Sequence, residues 1–198
     1  MYYPSGHRRL DAKVQAPFVL AVLRAIRVAI SEASPALARA LEAADDIEHN
    51  HDLSRADLVI PALDTCGALL EPFEQPPLTG ALRQIGSAVF SQYVSILGIP
   101  PANARTALQV TTGGDLVRAI CGIYTACVTG AEAGALVADL TSAGATITDT
   151  SFLPCQLQIG VLQGAGALTG LCCASALIET RCRSRGDAAC AYELAFTR

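Results

Sequence analysis

A chain of 198 residues, 52% of them hydrophobic, is long enough to bury a sizeable core, and one domain is the default organisation. A formal net charge of −4, with 14 Lys and Arg in total, leaves no basic face for nucleic acid. With no Trp and few aromatic residues, the expected core is built from Ala, Leu, Ile and Val.

The eight cysteines are unevenly spread, with none before Cys66 and an adjacent pair, Cys172-Cys173, inside an apolar run. That spacing does not suit a secreted disulfide framework, and a reduced, cytoplasmic protein is expected. The apolar run Ala16 to Ile30 carries Arg24 and Arg27 and lacks a small-residue cleavage site, unlike a secretory signal. The most apolar window, Ala165 to Ile178, is too short to span a bilayer, so no transmembrane segment is expected.

Residues 1–15 read as a polar N-terminal arm, and 16–198 as a single domain, with a helical layer over 16–129 and a sheet over 135–198. From Pro17, Val19, Val22, Leu23, Ile26 and Ile30 share one face, which predicts a helix to Ser31. Ser34-Pro35 is a cap followed by a favoured first position, opening a second helix to Ala44. The polar run Asp45 to Asp52 holds His49 and His51 and reads as a solvated loop rather than a metal site. Ser54 to Leu70 is expected to be helical, with Pro61 kinking or ending its first half. Thr79 to Leu97 carries the stripe Leu82, Ile85, Val89, Tyr93 and Ile96, and a short helix is expected over Ala102 to Leu108. Gly113-Gly114-Asp115 lacks the Lys and Ser/Thr of a phosphate loop and reads as the capped start of a helix to Thr129.

Beyond this point the period changes. Ala135 to Leu140 and Ala145 to Phe152 alternate around Ser142-Ala143-Gly144, a hairpin. A glycine-rich run of helical length follows, Gln156 to Cys173, and then two strand-like runs, Ala174 to Arg183 and Ala189 to Phe196, around a polar turn. The order predicts an α+β domain with about four antiparallel strands covered by helices.

The second hairpin sets Cys182 and Cys190 across its turn, with Glu179 one strand step back and Cys155 where the chain enters the glycine-rich helix. Three thiolates and a carboxylate at one corner would form the tetrahedral, closed site that zinc prefers. Buried small hydrophobes are the other reading of the same cysteines. Pro154-Cys155, the helix Gly160 to Gly170 and Glu179-x-x-Cys182-x-x-x-Gly186-x-x-x-Cys190 resemble the 4-vinyl-reductase family. That family is related to subunits of the eukaryotic vesicle-tethering transport particle and to the sensor domains of phenol- and xylene-responsive activators. The resemblance implies a transport-particle-like fold and a structural zinc on Cys155, Glu179, Cys182 and Cys190.

No nucleophile–base pair is visible, and no dinucleotide fingerprint follows a strand, so the sequence offers no catalytic residues. Gly160, Gly164, Gly166 and Gly170 in one helix imply either close packing on a neighbour or space for an apolar ligand. The expected function is a stand-alone domain binding a hydrophobic small molecule, with Tyr93, Ile120, Tyr124, Gly160 and Gly164 as the ligand-binding set. The resemblance implies two alternatives: a vinyl reductase or accessory protein of tetrapyrrole biosynthesis, and a protein–protein scaffold subunit. The apolar stripes of the helices from Pro17 and Thr79 exceed what one small sheet covers, so a homodimer is expected.

Overall fold

A computed structural model describes residues 11–30, 34–74, 78–172 and 177–197. The first sixty described residues are mostly helical. Strand β1 (Lys13–Gln15) runs into α1 (Ala16–Ala29), which buries Val19, Val22, Leu23 and Ile26. Helix α2 (Pro35–Asn50) starts as expected, the Ser34 side chain accepting the Leu37 N–H at 3.1 Å. It runs further than expected, because Ala36, Ala40, Ala44 and Ile47 keep one buried stripe through the acidic run. The expected loop over residues 45–50 is therefore the solvent face of a helix, and the Arg27–Glu48 ion pair at 3.1 Å ties it to α1.

The helix expected over Ser54 to Leu70 does not form as one piece. Strand β2 (Val59–Pro61) ends on the proline, a π-helical turn follows over Leu63–Gly67, and α3 (Ala68–Leu70) is a single turn. With β3 (Val128–Thr129), these strands form a small antiparallel sheet of order β2-β1-β3. The expected N-terminal arm thus ends in a paired strand, since β1 pairs with β2 on one side and β3 on the other.

Helix α4 (Thr79–Ile96) is the spine of the helical layer, packed between α1 and the later helix α7 (Cys155–Thr169). Helix α5 (Ala104–Ala107) is one turn. Helix α6 (Gly113–Cys127) opens with a capping box: Thr112 Oγ1 accepts the Asp115 N–H at 3.1 Å, and the Asp115 carboxylate accepts the Thr112 N–H at 2.9 Å. The stripes of α1 and α4 are covered within one chain, which removes the ground on which a homodimer was expected.

The second sheet has the order β4-β5-β7-β6, all antiparallel, from β4 (Leu136–Leu140), β5 (Gly144–Asp149), β6 (Ile178–Arg181) and β7 (Cys190–Ala195). Both expected hairpins are present, with α7 between them and β5 and β7 as the inner strands. Edge strand β6 is irregular, its register slipping between Glu179 and Arg181. Among the described residues no helix is long and apolar enough to cross a membrane.

Candidate metal centre and apolar cavity

Cys155 is the first residue of α7, delivered by Pro154, whose φ of −58° ends the preceding loop. Glu179 lies on β6, Cys182 just beyond it and Cys190 at the start of β7. The Asp187 carboxylate accepts the Cys182 N–H at 2.8 Å and holds the turn, while Gly186 supplies its left-handed residue at φ +96°. One donor atom from each of the four residues lies within 4.8 Å of the others, so the set could hold a metal ion. The Cys155 and Cys182 sulfurs are 3.4 Å apart, close to the edge of about 3.8 Å that a tetrahedron of 2.3 Å zinc–sulfur bonds would have.

The electrostatics of the corner also favour a cation. Burial pushes the Cys155 thiol well up, and the neighbouring Cys182, Cys190 and Glu179 push it further, because a second negative charge here has no solvent to disperse it. Glu179 Oε2 accepts from Arg185 at 3.4 Å, while its Oε1 is buried with no hydrogen-bond partner. A divalent ion on three thiolates and this carboxylate leaves two negative charges, which Arg185 on Glu179 and Arg183, shared with Asp149, offset in part.

The sequence reading missed a buried polar network that backs this corner. Asp149, fully buried on β5, accepts the Tyr192 hydroxyl at 2.9 Å and the Ser151 N–H at 2.7 Å, and Arg183 lies 3.9 Å away. Burial raises the Asp149 carboxyl, against the lowering by Ser151 and Arg183; burial raises the Tyr192 hydroxyl too, and the Asp149 charge adds to it. Gln158 of α7 donates to Ser151 Oγ at 3.3 Å, and the Arg183 N–H reaches Cys190 Sγ at 3.4 Å. A signal was present: in the alternation of β5, Asp149 shares the inward phase of Ala145 and Ile147.

The residues expected to bind an apolar ligand divide into two groups. Tyr93, Ile120 and Tyr124 do meet, with Phe18, Phe90 and Val161, around a cavity of about 30 Å³ between α1, α4, α6 and α7. The Tyr93 hydroxyl lies 3.1 Å from Cys127 Sγ, and the Tyr124 hydroxyl donates to the Ala133 carbonyl. Gly160 and Gly164 do not line that cavity and instead form a seam with α4. A methyl at Gly160 would lie 2.9 Å from Gly86 Cα, and one at Gly164 2.7 Å from the Ser87 carbonyl carbon. Gly166 faces Cys172, and Gly170 is the left-handed cap of α7 at φ +68°. His49 is exposed and His51 half-buried at the far end of α2, while His7 and Cys173 lie outside the described residues.

No family profile matches the chain, and no curated protein does. Solved structures of similar fold include an H-NOX protein from S. oneidensis in the Fe(II)NO ligation state, at 13% identity and a TM-score of 0.56 over 92% of this chain and 99% of that one. A triple mutant of an H-NOX protein from the same organism, in the Fe(II) state, matches at 14% identity and 0.56 over 92% and 96%. Identity this low shows a shared fold. The resemblance to the 4-vinyl-reductase family and the transport-particle subunits is overturned: the fold neighbours are H-NOX proteins, and nothing matched supports a tetrapyrrole or tethering role. Cysteine and glycine spacings of a hairpin beside a packed helix carry that resemblance, and the glycine spacing follows from the seam with α4.

Proposed function

We propose that the chain is a small-molecule-binding domain whose C-terminal corner is fastened by zinc on Cys155, Glu179, Cys182 and Cys190. The observation that supports the metal is the buried, unpartnered Glu179 Oε1 among three convergent sulfurs, a polar atom that an ion held there would satisfy. Thiolate donors favour zinc over magnesium or calcium, and a closed four-ligand set is the structural form. The ligand reading rests on the apolar lining that Tyr93, Ile120 and Tyr124 share; at about 30 Å³ the cavity holds a water or two as it stands, so a ligand enters only where these side chains give way.

The similar structures hold ferrous iron, and theirs is a haem-binding sensor fold. This chain does not fit that group. A cavity of about 30 Å³ takes a water or two, far short of a porphyrin. No described histidine lines it, and its tyrosine hydroxyls are engaged by Cys127 and Ala133. The shared fold therefore supports ligand binding in general, with a different ligand.

Native mass spectrometry of the purified protein tests both parts. One zinc per chain is expected, lost in Cys190→Ser, together with a small apolar molecule released on denaturation. A well-folded, metal-free chain would refute the zinc.

A further inference from the structure

The metal corner is not sealed. A cleft of about 220 Å³ opens beside it, lined by Cys155, Glu179 and Cys190 of the donor set, by Arg183 and Arg185, and by Thr79 and Leu82 across from them on α4. Cys182, the remaining donor, does not line it. Three of the four donors, Glu179 among them, thus border the cleft, and the carboxylate is the weakest of them for a thiophilic ion. Glu179 sits on edge strand β6, paired to β7 alone, where the register slips. A bulge of that kind re-aims a side chain, and an edge strand has one neighbour to hold it.

We infer that the cleft is a binding site for a small oxyanion, a carboxylate or phosphate, that takes the oxygen corner of the metal from Glu179 and rests against Arg185. The inference builds on the metal reading above. A closed four-ligand zinc site has no vacant position, so an anion would have to take the place of Glu179 rather than add to it. With a metal held there, one metal–oxygen bond to Glu179 would break as one to the incoming oxygen formed, with no change of oxidation state. Arg185 is 57% exposed on its side chain and already holds a carboxylate oxygen at 3.4 Å, the geometry the incoming anion would reuse. Glu74 also lines the cleft, its carboxyl raised by burial. The apolar cavity between α1 and α6 is a separate site, sharing no lining residue with the cleft.

The test uses full-length protein loaded with cobalt(II), whose visible bands report its ligands, titrated with acetate and with inorganic phosphate. A saturable shift of the ligand-field bands is expected with at least one anion, and the stronger of the two identifies the source. Glu179→Gln removes the competing carboxylate and is expected to tighten the anion. Arg185→Gln is expected to weaken it about tenfold, the loss of one charge-assisted hydrogen bond. Thiolate-to-cobalt bands that no anion shifts, or a midpoint unchanged in Arg185→Gln, would overturn the inference and leave the metal centre standing. Absence of thiolate-to-cobalt bands would overturn both.

Discussion

A methyl group placed on Gly164 puts the helix seam to a quantitative test. Alanine gains about 0.8–1.0 kcal/mol over glycine in a helix interior, so propensity alone predicts a stabilised Gly164→Ala. The seam opposes it. The new carbon would lie 2.7 Å from the Ser87 carbonyl carbon, where about 3.5–4.0 Å is ordinary contact. The obstacle is helix backbone, so no rotamer change relieves it, and α4 and α7 must part by about 1 Å, forfeiting a quarter to a half of the dispersion along the seam. That places the cost near the upper end of the 1–3 kcal/mol typical of overpacking; less the gain in propensity, about 2 kcal/mol of net destabilisation is expected. For a chain of this length the melting temperature should fall by about 4–8 °C. Gly122 of α6 is the internal control: it is exposed with nothing within 4 Å of an added methyl, so Gly122→Ala should gain up to about 1 kcal/mol. Urea unfolding of the two variants beside the parent measures both signs. A Gly164→Ala as stable as Gly122→Ala would refute close packing as the reason for the glycine.

Three further outcomes are expected. Tyr192→Phe removes the hydroxyl that donates to buried Asp149 and should cost about 1–3 kcal/mol in urea unfolding; no loss would mean that water replaces it at once. Asp115 is held down to about 2 by hydrogen bonds from Thr111 and Thr112, so its capping stability is fully present above the ordinary carboxylate value of 3.8 and is lost as pH falls through about 2. The deficit of Asp115→Ala in thermal melts should therefore be largest near neutrality and close in strong acid; a deficit independent of pH would contradict the ionised cap. Burial raises the Cys66 thiol to about 12, so it should resist alkylation in the native state at pH 8; labelling as fast as in urea would count against its burial.

Elements with an unbroken period were legible in the sequence. The stripes of α1 and α4 and the alternation around Ser142-Ala143-Gly144 each identify their own partner surface. Helix α2 was cut short because acid density outweighed the stripe Ala36, Ala40, Ala44 and Ile47, although small residues are enough to keep a helix seated. The three-stranded sheet was invisible, as strands of two or three residues are too short to show a period and are specified by pairing across the chain. The Cys155, Glu179, Cys182 and Cys190 cluster could be read because a hairpin turn fixes what faces what. The purpose of Gly160 and Gly164 could not, since it depends on Gly86 and Ser87, more than seventy residues away.

Helix α7 touches every functional part described: Cys155 at its tip, the seam with α4 along one side, and Val161 and Gln158 at the apolar cavity. From Gln158 a buried chain of contacts runs through Ser151 and Asp149 to Arg183, whose amide meets Cys190. Packed on α4 through Gly160 and Gly164, the helix ties the corner and the cavity to one element. If a metal and a guest bind there as proposed, whatever effect the guest has on metal affinity the metal returns on the guest by the same factor.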